Sequence, residues 1–516
     1  MSTVTVSDRG TLAGSGSIGA LVSDPGGTVA PGPKSGIGTL HVAGAATFHA
    51  GSIYQVQINP GGQADLIDVA GAAMLNGGAV SVRAAAGGFA FGTRYTILTA
   101  QGGVTGRFDG AAGPSQMPFL DFELVYDPAH VYLDVARSTV TFASVGATRN
   151  QTATGGGADH LPVDHAVVAA LMQLDVPQAR RAFDQLSGEI HGSTKTTLIG
   201  DSRIIRNAVY DRIRAAFSDA GATLSPVLAY GPEERPMAVA ATHAGPVFWA
   251  NGFGAWGSTE SDGNAASFDR DIGGMLMGVD AAFGDWRAGI LGGYSHSTFK
   301  IHERASSGTS DNYHLGLYGG TNWAGLAVRT GVAYTWHNIE TSRGVVFPGF
   351  AERLRADYAA GAFQAFGELA HGFGVGSARL EPFANVAYVN LRTAGFNEKG
   401  GNAALSGLDG STDVTYTTLG LRGEHAVTFG PMNGRLKAMI GWRHAFGDTI
   451  PESTHAFSVG SGFTIAGAPI AKNTAAIEAG VELIATSDAT FGLSYQGQIA
   501  SSAQDHGFKA NFAARF

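Results

Sequence analysis

Three short stretches of this sequence carry residue types that could do chemistry. Gly14–Gly19 matches the G-x-G-x-x-G pattern of dinucleotide loops, Gly200–Arg203 places a serine next to an acid, and His296, His302 and Asp311 fall near one predicted loop. The glycine pattern lacks the strand, helix and downstream acid of a dinucleotide site. The serine falls inside a predicted helix, and no H-E-x-x-H pattern occurs. We therefore expect no catalytic residue, no cofactor and no metal site, and predict that the chain is not an enzyme.

The densest pattern of charges lies on a predicted helix at about 194–217. Ile205, Val209 and Ile213 belong to one apolar stripe, and charged side chains cover the rest. The helix would be roughly 36 Å long, enough to cross a bilayer. Each charge would cost about 2.5 kcal/mol or more at the centre of the lipid. The helix can therefore cross only inside a polar lumen; the alternative is a helical hairpin packed on the N-terminal segment. The basic residues of this pore helix are Lys195, Arg203, Arg206, Arg212 and Arg214.

The residues after about 246 predict a barrel that could enclose such a helix. Apolar and polar residues alternate in segments that recur about every 22 residues. In one segment Val332, Tyr334 and Trp336 share a face, and Arg329 lies on the other. We count twelve such segments, and an even number of antiparallel strands with an apolar outer face is typical of outer-membrane barrels. The alternative, a soluble β-sandwich or lectin-like barrel, would expose these apolar stripes and aggregate.

Acidic residues on the polar faces of these strands are the expected partners of the pore helix. Polar side chains point into the lumen when the opposite face contacts lipid. We expect these lumen acids to face the basic residues of the helix, which would plug the barrel after transport. The lumen acids are Glu368, Glu381, Glu478 and Glu482.

The N-terminal segment predicts a parallel β-solenoid. Val42–Phe48 recurs as Val69–Leu75 with an offset of 27 residues, and short strand-like runs alternate with glycine-rich corners. Such a period indicates rungs that stack because one rung cannot bury its own apolar face. The fold class is all-β with a short α-helical linker. The predicted domains are a solenoid with a cap at 1–137, a helical linker at 158–245 and a barrel at 246–516.

Composition excludes several classes of protein. Glycine accounts for 76 of the 516 residues, cysteine is absent, and 33 basic against 42 acidic residues give a net charge of −9. These values exclude a disulfide scaffold and give no sign of a nucleic-acid partner. No basic and apolar leader follows Met1, so the chain is either cytosolic or the C-terminal part of a longer precursor. The predicted barrel favours the second interpretation.

The order of these motifs resembles the C-terminal part of an autotransporter, the monomeric type V secretion family. Gly441–Phe446 and the terminal Phe516 resemble its twelve-stranded translocator, and Leu186–Ile190 with the following helix resembles its linker. The stretch from Ile53 to Leu98 resembles the last rungs and autochaperone cap of a pertactin-like passenger. The resemblance implies a right-handed solenoid outside the cell and a barrel in the outer membrane.

The resemblance also implies a function and partners. The barrel would insert in the bacterial outer membrane and deliver and anchor its own N-terminal passenger at the cell surface, where an adhesin role with a host or surface ligand is compatible with a solenoid. The partners would be outer-membrane lipid, periplasmic chaperones and the barrel assembly machinery, and the barrel would be monomeric. The alternative function is an outer-membrane barrel enzyme such as a protease or phospholipase.

A recognition signal for barrel assembly is implied at the end of the last strand. By resemblance, its residues are Phe508, Phe512 and Phe516. The alternative is that Phe516 is one more aromatic residue that faces lipid.

Overall fold

The computed structural model describes residues 2–114, 116–223, 227–230, 236–430, 432–486 and 489–514. The chain folds into two compact units. The first comprises residues 1–147, 154–183 and 346–351, and the second comprises 148–153, 184–345 and 352–516.

The first unit is a β-solenoid whose short strands stack into three sheets with parallel pairing. The 27-residue offset of the sequence repeat is the register of one rung on the next, since Ala46 pairs with Ala73 and Leu40 with Ile67. The inward side chains of Phe48 and Tyr54 are fully buried. The strands are β1 (Thr3–Val6), β2 (Thr11–Gly14), β3 (Gly16–Ile18), β4 (Ala20–Ser23), β5 (Thr28–Pro31), β6 (Thr39–Val42), β7 (Ala46–His49), β8 (Ile53–Ile58), β9 (Leu66–Val69), β10 (Ala73–Asn76), β11 (Ala79–Ala84), β12 (Arg94–Ala100), β13 (Val104–Arg107), β14 (Gly110–Ala112), β15 (Leu120–Tyr126) and β16 (His130–Arg137).

An antiparallel cap ends the parallel stack. β12 pairs in parallel with β9 on one side and antiparallel with β16 on the other, and β15 then pairs with β16. Leu133 and Val131 of β16 are fully buried. The change of direction places a hairpin over the last rung, which covers the apolar end that another rung would otherwise need to bury.

Five α-helices follow among the described residues. Pro177 lies in the first turn of the third helix, where a missing N–H costs nothing. No helix in the described part of the chain combines the length and apolarity needed to span a membrane. The helices are α1 (Arg149–Asp159), α2 (Ala166–Leu171), α3 (Val176–Leu186), α4 (Glu189–Asp201) and α5 (Arg203–Phe217).

The second unit is an antiparallel β-barrel, with twelve long strands among the described residues. The last strand pairs with the first, Gly254 opposite Phe508, so the barrel is closed and leaves no free edge. A small sheet of β27, β28, β31 and β32 lies outside the barrel order. The strands are β17 (Val227–Tyr230), β18 (Pro236–Val239), β19 (Val247–Thr259), β20 (Phe268–Phe283), β21 (Trp286–Ile301), β22 (Ser306–Trp323), β23 (Leu326–Phe347), β24 (Phe350–His371), β25 (Phe373–Val375), β26 (Ala378–Thr393), β27 (Phe396–Asn397), β28 (Leu405–Gly407), β29 (Gly410–Phe429), β30 (Met432–Gly447), β31 (Glu452–Phe457), β32 (Phe463–Ala466), β33 (Asn473–Thr486), β34 (Ala489–Ile499) and β35 (Ala503–Ala514).

The alternation of residues along each barrel strand separates an apolar outer face from a polar lumen. On β23, Val332 and Trp336 are 42% and 48% exposed, whereas Arg329 and His337 on the opposite face are buried. Trp286 and Trp323 pack edge to face beside two short turns. The outer face therefore has the composition that lipid requires, with aromatic residues at one boundary. The soluble sandwich alternative is excluded by this closed barrel.

Candidate functional site in the barrel lumen

The lumen of the barrel is filled by α4 and α5. Ser202 joins the two helices with helical backbone angles, and its hydroxyl donates to the Ile199 carbonyl at 2.6 Å. The 29 residues from Glu189 to Phe217 would span about 43 Å. The structure thus extends the predicted helix, 194–217, toward the N-terminus and places a joint within it. A serine hydroxyl that donates to a preceding backbone carbonyl of its own helix often bends the helix at that serine.

One face of the helix packs on one wall of the barrel. Ile205, Val209 and Ile213 are buried in a cluster with Leu276 on β20 and Phe366 on β24. This is the apolar stripe that the sequence predicts. Because the apolar stripe packs against one wall of the barrel, the charged face of the helix faces the rest of the lumen.

Asp280 on β20 binds the C-terminal half of α5. Arg212 donates to its two carboxylate oxygens from Nε and Nη2, both at 2.7 Å. Tyr318 donates its hydroxyl to the same carboxylate at 2.6 Å, and Arg287 completes the cluster. The Asp280 side chain is fully buried, so its charge depends on these donors.

A second cluster surrounds the joint between the helices. Arg203 donates to Asp505 at 2.6 Å, and Arg270 on β20 contacts both Asp505 and Asp201. Ser297 donates its hydroxyl to Asp201 at 3.0 Å. The helix thus contributes both an acid and a base to this cluster.

The other predicted basic residues of the helix have different partners. Arg206 donates to the side-chain oxygen of Gln364 at 2.8 Å, and Lys195 donates to the Glu452 carbonyl at 2.6 Å. Arg214 contacts Asp211 on its own helix, and Lys509 of β35 contacts the same carboxylate.

Two of the predicted lumen acids make their close ion pairs with arginines of the barrel strands. Glu368 and Glu381 lie in the lumen, but they bind Arg329 and Arg422, at 2.6–3.0 Å between the closest atoms. Asp219, which follows α5, joins this cluster by accepting from Arg329 at 2.6 Å. Barrel strands therefore supply the closest cations of these two carboxylates.

The remaining two predicted acids lie on β33. Glu482 accepts from Lys437 of the neighbouring strand at 2.8 Å. Glu478 lines the lumen cavity beside Arg203, and no ion pair within 4.0 Å joins it to a described residue.

The N-terminal end of α4 is fixed by residues from the longer loops. Arg343 and His191 both bind the carboxylate of Glu398, at 2.6 Å and 3.0 Å, and Arg304 binds Glu189 at 3.0 Å. These side chains are almost fully buried except Arg304. The helix therefore begins at the end of the barrel that carries the long loops.

His455 on β31 binds the segment that directly precedes α4. Burial lowers the pKa of His455 to about 3, so the ring is neutral. Its Nδ1 donates to the Ser187 carbonyl at 3.1 Å, and its Nε2 accepts from the Ser453 hydroxyl at 2.8 Å. Gly188 follows with a φ of +70°, a left-handed conformation that favours glycine.

The C-terminal end of α5 lies at the end of the barrel that carries the short turns. Asp219 accepts from Asn322, which precedes the turn between β22 and β23. The helix thus crosses the whole lumen, from the long loops to the short turns. In outer-membrane barrels the long loops are extracellular and the short turns periplasmic.

The residues of the predicted assembly signal lie at the end of β35. Phe508 is 51% exposed on the outer face. Phe512 lies opposite Phe491 in the strand register, and its side chain, like Phe516 as a whole, lies outside the described residues.

The three stretches that could do chemistry do not form a catalytic site in the described structure. Gly14 and Gly16 belong to solenoid strands. Ser202 is buried and accepts from Arg206 at 2.9 Å. His296 binds Asp311 at 2.9 Å on the exposed outer face, whereas His302 binds Asp269 instead. No group of metal-binding side chains occurs among the residues searched, which are those described.

A closed barrel with an apolar outer face is the architecture of an outer-membrane protein, and the comparison with known families agrees. Residues 248–496 match the family model of the autotransporter β-domain. This part of the chain is an autotransporter β-domain, which acts in secretion across the outer membrane. The protein is accordingly located in the bacterial outer membrane, with its passenger at the cell surface.

Two curated relatives align with the whole of this chain. Both are named extracellular serine protease and come from Serratia marcescens; they are 33% and 31% identical over 568 aligned positions. The chain spans about half of their length, 52% in each case. The expectation that the protein is not an enzyme is therefore wrong, because its relatives carry the name of a secreted protease.

Two autotransporter units are among the solved structures to which parts of this chain are similar. The translocator domain of the autotransporter NalP from Neisseria meningitidis has a TM-score of 0.46 and 14% identity, over 63% of this chain and 99% of that chain. The transport unit of the autotransporter AIDA-I from Escherichia coli has a TM-score of 0.36 and 18% identity, over 52% of this chain and 90% of that chain.

Proposed function

We propose that the barrel delivers and anchors the N-terminal segment of its own chain at the cell surface. The division of labour is a passenger end at 1–137, a linker at 158–245 that contains the pore helix, and the translocator at 246–516. The observation that carries the proposal is the helix that crosses the lumen. It connects the first barrel strand, through the short-turn end, to a chain that leaves at the long-loop end.

The energy for export would come from folding outside the cell. The sequence has no G-x-x-x-x-G-K-[ST] loop with which to use a nucleotide. The antiparallel cap of β12, β15 and β16 would fold first and serve as the template for the next rung. Each rung that stacks buries apolar side chains such as Phe48, which disfavours sliding back.

Residues 42–136 are the segment whose removal tests this mechanism. We expect a chain without them, produced behind an export signal in a Gram-negative host, to insert its barrel normally. The remaining surface-exposed passenger would be degraded when protease is added to intact cells. Equal protease resistance with and without residues 42–136 would contradict a template role.

The proposed partners during assembly are periplasmic chaperones, the barrel assembly machinery and outer-membrane lipid, and the barrel would act as a monomer. Phe508, Phe512 and Phe516 would form the assembly signal. Deletion of Phe516 alone is expected to lower the amount of barrel in the outer membrane. The matched control is Phe491→Ser on the neighbouring strand, and normal insertion after the deletion would support a role in lipid contact only.

We further propose that the passenger is a serine protease, in preference to an adhesin. The names of the two relatives support this proposal, and the half of their length that this chain does not match has room for a catalytic domain. A fluorophosphonate probe added to cells that express the native gene should label the surface or secreted product. The variant Ser202→Ala should be labelled equally well, since Ser202 is buried in the lumen and forms its hydrogen bonds with Ile199 and Arg206. Absence of label on the native product would exclude a serine protease.

A further inference from the structure

We propose that the lumen binds a small inorganic anion beside the pore helix, between Arg443 on β30 and Arg203 on α5. The site lies where two cavities meet on the charged side of the helix. One cavity has a volume of about 140 Å³ and the other about 70 Å³. Both are lined by Arg203, Tyr416, Arg443, Gln498 and Asp505. A cavity of about 10–15 Å³ on this measure holds one water, so both have room for an ion and its remaining water.

Positive charge exceeds negative charge around this junction. Arg203 and Arg270 share the carboxylates of Asp201 and Asp505. Arg206 binds only neutral oxygens, those of Gln364 and Ser202. With Arg443, four guanidinium groups thus lie near two carboxylates, which form ion pairs only with Arg203 and Arg270.

Among these four arginines, Arg443 has the weakest contacts with other side chains. Its guanidinium lies over the Tyr416 ring, 5.0 Å from the centroid, and Arg206 approaches the same ring at 5.7 Å. Across the residues that the structure describes, Arg443 has no carboxylate within 4.0 Å. The charges of Arg203, Arg206 and Arg270 all repel it.

The nearest acid not yet counted does not remove the imbalance. Glu478 lines the larger cavity, and counting it leaves three carboxylates against four guanidinium groups. An uncompensated charge away from bulk water is costly, so a mobile counter-ion at this place would stabilise the barrel with its helix in position.

A buried hydroxyl supplies a further donor at the site. Thr474 on β33 is only 4% exposed and lines the smaller cavity with Arg203, Arg270 and Arg443. Its Oγ1 has no hydrogen-bond partner among the described atoms. Guanidinium groups and a hydroxyl donor together match the needs of an anion rather than a cation.

The test measures barrel stability against anion identity. The chain is refolded in detergent micelles, and the temperature at which the folded gel band disappears is recorded in sodium chloride, sodium phosphate and sodium gluconate at equal ionic strength. We expect chloride or phosphate to raise this temperature by about 3 °C or more relative to gluconate, which is too large for the smaller cavity. The anion that stabilises more identifies the ligand class.

Variants separate binding from general screening. Arg443→Gln should abolish the difference between salts and Arg443→Lys should retain it, whereas Arg392→Gln, at an exposed strand position, serves as the matched control and should behave as the parent. Equal transition temperatures in the three salts would overturn the proposal, as would a salt difference that persists in Arg443→Gln. With the unaltered chain, crystals grown in bromide should show an anomalous peak beside Arg443 and Thr474, and its absence would also overturn the proposal.

Discussion

At the scale of single residues, ion pairs join the pore helix to the barrel, and the sequence does not specify which acid pairs with which base. The basic residues of the helix can be recognised from the sequence because they lie outside the apolar stripe of an amphipathic pattern. Their partners Asp280 and Asp505 depend on how the helix is rotated and on the stagger of the strands. Alternation places an acid in the lumen but does not say which cation it binds, and the close ion pairs of Glu368 are with Arg329 and Arg422 of the barrel strands.

Asp280 is the residue whose loss should weaken the plug most. Asp280→Asn would leave the buried guanidinium groups of Arg212 and Arg287 without a charged partner. We expect a loss of about 3–5 kcal/mol in the free energy of unfolding, measured by urea titration in micelles with tryptophan fluorescence. The control Asp269→Asn removes an acid that is 60% exposed and should cost less than about 1 kcal/mol. Equal losses in the two variants would refute a special role for Asp280.

Asp127 makes the solenoid cap sensitive to acid. The backbone N–H groups of Ala129 and His130, with the Tyr132 hydroxyl, lower the pKa of Asp127 from 3.8 to about 2. A lowered pKa stabilises the folded cap fully above pH 3.8, and this stabilisation is lost as pH falls through about 2. Hydrogen exchange of the Ala129 and His130 amides should therefore lose protection between pH 4 and pH 2. Asp127→Asn should show weak protection throughout, and an unchanged profile would contradict the account.

At the scale of elements, the pore helix is closely packed against the outer loops. A Cβ on Gly467 would lie 2.2 Å from the backbone carbon of Gly192 in α4, so these glycines permit contact between two backbones. The sequence does not reveal this contact, because neither glycine belongs to a recognisable turn motif. By contrast, the 27-residue repeat predicts the rung register of the solenoid, since a repeat in sequence becomes a repeat in space when identical corners recur.

Gly467→Ala should detach the loop from the helix. Neither backbone can yield, so overpacking should cost about 1–3 kcal/mol. The segment around residues 458–472 should then be cut faster in limited proteolysis, with sites identified by mass spectrometry. Gly462→Ala is the matched control in the same segment, since its nearest neighbour would be the Thr454 methyl at 3.5 Å. Similar cleavage rates in both variants would argue against the contact.

At the scale of the whole molecule, alternation along the strands predicts the barrel and its membrane location. The physical reason is that lipid demands a closed set of backbone hydrogen bonds and an apolar outer face, so few sequences satisfy it by accident. The protease name of the two relatives could not be predicted in this way. The repeats and alternation that reveal a solenoid and a barrel do not reveal catalytic residues. The expectation that the protein is not an enzyme was corrected only by the names of relatives that are about twice as long.

The account depends most directly on the position of α5 inside the barrel, which a disulfide can test because the chain contains no cysteine. A Cβ on Gly320 of β22 would lie 2.6 Å from Cγ2 of Ile213, close enough for a disulfide after substitution. Ile213→Cys with Gly320→Cys should therefore cross-link on mild oxidation of the refolded protein, read as loss of free thiols by mass spectrometry. Ile213→Cys with Gly319→Cys, which places the second thiol on the outer face of the same strand, should not. Failure of the first pair, or equal cross-linking of both, would contradict a helix in the lumen.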